Sequence, residues 1–332
     1  MKTLVLEEPG RFGWREEEDP RPGTEEACVS VRRVGVCGTD LHAYHGRQPF
    51  FEYPRVLGHE LAVQVETVGQ GADTSLVGRW CAVRPYLNDP DSRASRRGKT
   101  NCCPSMRVLG VHTDGGMRPR LTLPTRLLHP SPENGGKLSP EVLALAEPLA
   151  IGCHAVRRGD PRADESVLVI GAGPIGLAVL QFARLRSQNV TVLDLNERRL
   201  SFSRERLGVS DSRQDLNDSE TFDCVFDATG HPDSMRQAID RVAHGGRLVY
   251  VGLHPGEVTF PDPLFHAREM TLRASRNATA EDFDLVLREL AAGRVDAQSM
   301  ITRRHTLDEL PDAFDSFYED ANLIKAIVEV PA

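Results

Sequence analysis

The chain lacks the features that mark several large classes of protein. No apolar run approaches the roughly 20 residues that cross a bilayer, so we expect no membrane partner. The formal net charge of −8 argues against nucleic acid, because phosphate binding needs a basic face. The start of the chain becomes charged after a few residues, so we also expect no signal peptide.

Cysteine pairs with metal or redox spacing are missing as well. The 7 cysteines are scattered along the 332 residues, and no CxxC pair occurs. Such a set does not make a disulfide framework and fits a reducing cytoplasm, where we expect the protein to reside. The composition is typical of a globular protein, and the length predicts two domains.

Short β-type runs separated by Gly and Pro dominate the first part of the chain. They lie at 3–6, 27–34, 61–68, 80–84 and 120–123. This pattern predicts an irregular β-barrel with chemistry-bearing side chains on its loops. We place a first domain at residues 1–145 and expect it to be completed by 276–332, with helices at 280–292 and 307–318 and a last strand at 325–330.

From residue 146 the pattern changes to alternating helix and strand. A helix start is predicted at Ser139-Pro140, and a further helix at 151–158. The apolar run 167–170 is typical of a parallel strand buried on both faces. Later strands are expected at 190–194, 223–227, 247–252 and 269–275, with a helix at 234–243. The fold class is therefore α/β, with a doubly wound parallel sheet at 146–275.

A glycine-rich turn joins the first of these strands to a helix. The residues predicted to approach a pyrophosphate there are Gly171, Gly173, Pro174, Ile175 and Gly176. Asp194 ends the next strand, about 20 positions on, where a carboxylate binds ribose hydroxyls. This carboxylate would repel a 2′-phosphate, so it predicts NAD rather than NADP. Arg199 can either flank the adenine or allow some binding of NADP. The alternative is a glycine-rich turn that holds no ligand.

Two short segments carry most of the reactive side chains. The stretch 35–42, with sequence GVCGTDLH, holds a thiol, a hydroxyl, a carboxylate and an imidazole. A second segment, Gly58-His59-Glu60, adds another imidazole and another carboxylate. By itself the first stretch favours a core cysteine at Cys37 over a ligand, since free cysteine is among the most buried residue types.

Together these segments resemble the zinc-dependent medium-chain dehydrogenases/reductases, of the sorbitol and L-threonine dehydrogenase branch. The matching pieces are 35–42, 58–60, 146–149 and 171–176, and they run over nearly the whole chain. Segment 108–116 further resembles bacterial members that act on sugar acids or polyols, including the L-galactonate 5-dehydrogenase type. The implied fold is a GroES-like irregular β-barrel catalytic domain plus a Rossmann domain.

The resemblance implies a catalytic zinc ion bound by Cys37, His59 and Glu60. Glu147 falls where relatives place either a fourth ligand or a carboxylate that holds the zinc-bound water. Zinc accepts sulfur, nitrogen and oxygen donors, and a catalytic site keeps one position open. Which of the two glutamates ligates the resting metal stays open.

The same resemblance assigns proton transfer and cofactor contacts. Thr39 would take the alcohol proton and His42 would pass it to solvent, while Asp40 would orient a zinc ligand. Asp40 and His42 can also be ordinary hydrogen-bonded loop residues. Arg276 follows the last Rossmann strand, where relatives bind the nicotinamide; a surface arginine is the alternative.

The chain departs from its relatives in two places. Relatives with a structural zinc carry four cysteines where this chain has Asp89, Ser92, Ser95 and Cys103. We therefore predict one catalytic zinc per chain and no structural zinc. In the segment Met117-Arg118-Pro119-Arg120, relatives usually have a Glu-Tyr pair at the last two positions, and this change puts the local packing and the substrate pocket in doubt.

The function implied is NAD(H)- and zinc-dependent oxidation of a secondary alcohol in a polyol, sugar acid or similar small molecule. An L-threonine 3-dehydrogenase-like activity is the alternative within the class. A non-catalytic cofactor-binding module is the alternative outside it. Relatives are dimers or tetramers, so a homo-oligomer is expected.

Overall fold

The computed structural model describes residues 1–48, 51–133 and 138–331. The chain forms two compact units. The first comprises Met1–Glu147, Thr279–Gly293 and Met300–Ala332, and the second comprises Pro148–Ala278 and Arg294–Ser299. The second unit thus includes a short segment, 294–299, that the sequence analysis had assigned to the catalytic domain.

The strands are β1 (Lys2–Glu8), β2 (Arg11–Glu16), β3 (Glu26–Val36), β4 (Glu60–Val68), β5 (Trp80–Val83), β6 (Tyr86–Leu87), β7 (Arg107–Val108), β8 (Arg120–Pro124), β9 (Leu128–Pro130), β10 (Ser166–Ile170), β11 (Asn189–Leu193), β12 (Asp211–Arg213), β13 (Phe222–Asp227), β14 (Val242–Tyr250), β15 (Thr271–Ala274), β16 (Ile301–Thr306) and β17 (Lys325–Glu329).

The α-helices are α1 (Gly38–Tyr44), α2 (Arg93–Arg96), α3 (Pro140–Ala144), α4 (Ala146–Gly159), α5 (Pro174–Arg184), α6 (Glu197–Leu207), α7 (Pro232–Gln237), α8 (Asp262–Ala267), α9 (Ala280–Ala291), α10 (Leu310–Ala313) and α11 (Ser316–Glu319). Short 3-10 turns lie at Thr74–Leu76, Thr100–Cys102, Thr125–Leu127, Ala238–Arg241 and Gln298–Met300.

The first unit is built on a β-sheet with the strand order β16-β17-β3-β4-β5-β9, and β8 also pairs with β3. The alternating Val29, Val31 and Val34 of β3 are fully buried in its core. The C-terminal strand β17 returns to lie antiparallel to β3, with Ala326 opposite Val36. This return brings the end of the chain beside the segment that carries Cys37.

The second unit is a parallel sheet with the order β12-β11-β10-β13-β14-β15. This is the doubly wound order, so the predicted fold class is confirmed. The side-chain amide of Gln181 in α5 bonds both the N–H (2.7 Å) and the carbonyl (3.3 Å) of Asp296. These two bonds hold segment 294–299 in the second unit.

Four local expectations are corrected. Segment 38–44 is helical, because Cys37 and Asp40 form a capping box that closes its first turn. Helix α4 begins at Ala146, since Pro148 needs no partner for an N–H in a first turn. The predicted helix at 307–318 is two short helices, and the one at 234–243 ends earlier because β14 begins at Val242.

The predicted helix start at Ser139 is confirmed, with its hydroxyl accepting a bond from the N–H of Val142 at 3.3 Å. In the described part of the chain, no helix has the length and apolar character needed to cross a membrane.

Candidate active site

Three potential metal ligands converge in the first unit. Cys37 is the N-cap of α1, His59 directly precedes β4, and Glu60 is the first residue of that strand. The sulfur, an imidazole nitrogen and a carboxylate oxygen of these residues all lie within 4.8 Å of one another. These three kinds of donor suit zinc, and three protein ligands leave a fourth position open.

The Glu60 carboxylate lies over the backbone of its partner strand. Gly35 of β3 is paired with Glu60 of β4, and a Cβ at Gly35 would stand 2.1 Å from Oε2. That oxygen is buried and has no hydrogen-bond partner. An anionic oxygen buried without a partner is costly, so its presence points to a bound cation.

The other oxygen of Glu60 is held by Lys325. The ammonium of Lys325 donates to Oε1 of Glu60 and to the carbonyl of Val36, the latter at 3.3 Å. Both charged side chains are almost fully buried. Burial alone would lower the pKa of Lys325, but Glu60 and Cys37 outweigh it and raise that pKa. Lys325 therefore links segment 35–42, which carries Cys37, to segment 58–60, which carries His59 and Glu60.

His59 is held in a negative environment. Its Nδ1 lies 3.6 Å from Oδ1 of Asp40, which is buried. Burial alone would lower the pKa of His59, but Asp40 and Cys37 outweigh it and hold that pKa well above its ordinary value. Burial raises the pKa of Asp40, and His59 opposes this shift. The surroundings stabilise positive charge at this point, as a zinc site requires.

Glu147 is a second buried carboxylate beside this cluster. It lies in the first turn of α4 and accepts a hydrogen bond on Oε1 from the hydroxyl of Tyr86. Burial raises the pKa of Glu147, with His59 lowering it and Glu60 raising it. Glu147 therefore feels the charges of the cluster, although the ligand set described above does not include it.

Thr39 and His42 occupy the same face of α1, three positions apart. The hydroxyl of Thr39 is 3.7 Å from the sulfur of Cys37. His42 lies one turn further along and is exposed. Thr39 is therefore close to the ligand set, and His42 is in contact with solvent.

The lobe around 89–103 has replaced metal ligands by hydrogen bonds. The hydroxyls of Ser92 and Ser95 lie 2.9 Å apart, and Ser95 also accepts from the side-chain amide of Asn88 at 3.0 Å. The N–H of Asp89 donates to the sulfur of Cys103 at 3.3 Å. Hydrogen bonds link these four positions, and the hydroxyls of Ser92 and Ser95 are not among the usual zinc donors.

Arg118 and Arg120 have partners within the first unit. Arg118 lies 3.5 Å from Glu17, and Arg120 donates to Glu66 at 2.9 Å. The change from the usual Glu-Tyr pair is accommodated by ion pairs at this position.

The glycine-rich turn of the second unit has the shape a pyrophosphate requires. Gly171 has a φ of +96°, and a Cβ at Gly176 would stand 1.7 Å from the carbonyl oxygen of Gly171. Gly173 is the N-cap and Pro174 the first residue of α5, with Ile175 half-buried after them. The turn therefore places the helix N-terminus where an anion can approach its backbone.

Asp194 lies next to the glycine-rich turn. Its carboxylate accepts from the N–H of Ala172 at 2.6 Å and from that of Asn196 at 2.7 Å. Arg199 approaches the carboxylate at 3.7 Å, and its Nε is buried without a hydrogen-bond partner. Arg276 lies beyond β15 and is exposed. The arrangement fits a ribose bound through hydroxyls.

From the sequence, Phe50, Phe51 and Tyr53 are candidates either to line the substrate cleft or to pack between domains. Phe50 lies outside the described residues. The rings of Phe51 and Tyr53 have their centroids 4.9 Å apart with planes tilted at 60°, and both side chains pack against the core of the first unit.

Lys325 and Tyr86 are the site residues that the sequence analysis missed. Lys325 starts the last strand and is followed by the apolar run 326–328, and Tyr86 sits next to Pro85. A lysine directly before an apolar run in a strand was a usable signal, because lysine is rarely buried unless paired. Tyr86 offered none.

Comparisons with known proteins identify the class. Residues 23–133 match the alcohol dehydrogenase GroES-like domain, and residues 174–292 match the zinc-binding dehydrogenase domain. The chain is 38% identical over 344 residues to an L-galactonate-5-dehydrogenase of Escherichia coli K12, covering 99% of this chain and 98% of that protein. The chain belongs to the zinc-binding alcohol dehydrogenase family, and it is an oxidoreductase of that class.

Two solved structures share the fold over the whole chain. An alcohol dehydrogenase from E. coli CFT073, complexed with NADH, is 28% identical with a TM-score of 0.91, covering 99% of both chains. A zinc-binding dehydrogenase from Sinorhizobium meliloti 1021, bound to NADP, is 26% identical with a TM-score of 0.90, covering 99% of this chain and 98% of that one.

Proposed function

We propose that the chain oxidises a secondary alcohol of a polyol or sugar acid to the ketone, with zinc and NAD as cofactors. The observation that carries this is the convergence of Cys37, His59 and Glu60, with one carboxylate oxygen buried and unpartnered. The alternative of a non-catalytic cofactor-binding module gives no reason for such a donor set. A structural zinc is not expected, because the lobe around 89–103 is held by hydrogen bonds.

Oxidation removes a hydride from the carbinol carbon and a proton from its hydroxyl. Zinc, when bound by Cys37, His59 and Glu60, supplies a Lewis acid that lowers the pKa of the hydroxyl. Thr39 accepts the proton, and His42 delivers it to solvent. The position of Thr39 near Cys37 and the exposure of His42 support this order.

The cofactor we propose is NAD, which would supply the hydride acceptor when it is bound. Gly171, Gly173 and Gly176 leave room for the pyrophosphate at the start of α5. The carboxylate of Asp194 binds the ribose hydroxyls and repels a 2′-phosphate. Arg199 is partly engaged by that carboxylate, which supports NAD over NADP, and Arg276 would lie on the nicotinamide side when the cofactor is bound.

The substrate class rests on the relatives. The L-galactonate-5-dehydrogenase relative covers nearly the whole chain, which supports a sugar acid or a related polyol. An L-threonine 3-dehydrogenase-like activity needs an ammonium site next to a carboxylate site, and we identify no such pair among the described residues.

An NADH-absorbance screen tests the function. The purified protein is offered NAD or NADP with a panel of polyols, aldonic acids and L-threonine. Turnover of a polyol or an aldonic acid with NAD is expected, and it should stop when zinc is removed. Turnover of threonine alone, or NAD binding without zinc or turnover of any alcohol, would overturn the proposal.

The remaining assignments are also proposals. The first unit would be the catalytic domain and the second the NAD-binding domain. A homo-oligomer, dimer or tetramer, is supported by the exposed Leu272 on β15, which ends the parallel sheet. Seven free cysteines support a cytoplasmic location.

A further inference from the structure

Two buried carboxylates lie at the candidate metal site, and each has its own partner. Glu60 is paired with the ammonium of Lys325, and Glu147 is bonded by the hydroxyl of Tyr86. The first partner is charged and the second is neutral. The two carboxylates can therefore have different roles at the metal site.

We propose that Tyr86 is a positioning residue that keeps Glu147 away from the resting metal, so that the fourth coordination position stays open for substrate. The proposal rests on the function proposed above. In it, Glu60 is the carboxylate ligand and Glu147 stands beside the metal.

The bond from Tyr86 restrains Glu147 without neutralising it. Glu147 is 3% exposed and Tyr86 is 2% exposed, so water does not replace the bond if it is lost. A buried carboxylate without a donor costs free energy that a nearby cation recovers. Without the hydroxyl, the metal is the strongest attraction for Glu147.

Tyr86 is itself fixed from three sides. It pairs with Val108 across the two-stranded sheet of β6 and β7. Its ring meets that of Phe283 edge to face, with centroids 6.4 Å apart and planes at 74°. The preceding Pro85 accepts a backbone bond from Leu109 at 3.0 Å. A residue held this firmly can determine where its partner lies.

The lobe that lacks metal ligands starts directly after this tyrosine. Asn88, two residues on, bonds Ser95, and Asp89 bonds Cys103. The hydrogen bonds that replace a structural zinc therefore anchor the strand that carries Tyr86.

The test uses the protein with Co²⁺ in place of zinc, because the visible absorption of Co²⁺ depends on which ligands it has as well as on their number. Wild type should show the intense bands of a four-coordinate ion. Tyr86→Phe should shift these bands in wavelength, because a carboxylate oxygen of Glu147 takes the fourth position in place of solvent. The double variant Tyr86→Phe/Glu147→Gln should return to the wild-type spectrum, because the amide is a poor ligand.

Kinetics and a control complete the test. Tyr86→Phe should lower kcat about tenfold, a loss of about 1.4 kcal/mol in transition-state stabilisation. Tyr250→Phe is the matched control, since it removes a half-buried hydroxyl bonded at 2.6 Å to Met235 in the other unit; its cobalt spectrum should be that of wild type. Circular dichroism verifies that each variant is folded.

The outcomes separate the two proposals. If wild type takes up cobalt and Tyr86→Phe has the same spectrum, the role of Tyr86 is wrong and the proposed function stands. A shift that persists in the double variant would also contradict that role, because it would not arise from Glu147. If wild type binds neither cobalt nor zinc, the proposed function fails and the role of Tyr86 fails with it.

Discussion

Gly35 and Glu60 face each other across two strands, and a Cβ on the glycine would stand 2.1 Å from Oε2 of the glutamate. The missing side chain therefore creates the space in which that carboxylate lies. A methyl group there would displace the oxygen that is buried without a partner.

Gly35→Ala should weaken zinc binding by at least about tenfold, roughly 1.4 kcal/mol, because the carboxylate ligand is pushed out of place. Zinc retained in competition with a chromogenic chelator measures the change. Gly38→Ala is the matched control, since a Cβ there meets nothing within 4 Å. Equal zinc retention in both variants would refute the role of Gly35.

Lys325→Met should lower the free energy of unfolding by about 3–5 kcal/mol, because it leaves Glu60 as an unpaired buried charge. Urea unfolding of the zinc-free protein measures this loss. The exposed pair of Lys2 and Asp308, at 2.8 Å, provides the control. Lys2→Met should cost no more than about 1 kcal/mol, and a similar cost for both would contradict the account.

Asp194→Ala should weaken NAD binding and raise the affinity for NADP relative to it, because the repulsion of a 2′-phosphate is lost. The ratio of the two dissociation constants, measured by fluorescence titration, is the readout. The variant also removes a bond to the N–H of Ala172, so both constants can rise together. Only an unchanged ratio argues against the ribose role.

Cys103 should make the lobe more stable at alkaline pH. Burial alone would raise its pKa, but hydrogen bonds from Ser105, Ser92 and the N–H of Asp89 lower it from 9.0 to about 7. Because the folded-state pKa is depressed, the stabilisation is complete above about pH 9 and is lost as the pH falls through about 7. Wild type should therefore gain Tm relative to Cys103→Ala between pH 6 and pH 9. A constant difference in Tm across this range would exclude a thiolate at Cys103.

The parallel sheet and its glycine turn were predictable because their signals are local. The run 167–170 is apolar throughout, and a glycine-rich turn follows it directly. Segment 38–44 was not recognised as a helix, because its capping box uses a cysteine in place of the usual serine or threonine. Its short length also gives little periodicity.

The partners of the two glutamates were not predictable in the same way. Glu60 and Lys325 are far apart in sequence and meet only because β17 returns to β3. Tyr86 meets Glu147 through the packing of a short strand against the start of α4. Such contacts depend on the tertiary structure, and a single sequence carries no periodic signal for them.

Metal analysis of wild type and Cys37→Ser tests the central claim most directly. Wild type should contain about one zinc per chain, and Cys37→Ser should contain less than about a tenth of that while binding NAD as wild type does. A wild-type content near two would contradict the reading of the lobe around 89–103. Full zinc content in Cys37→Ser would contradict the metal site itself.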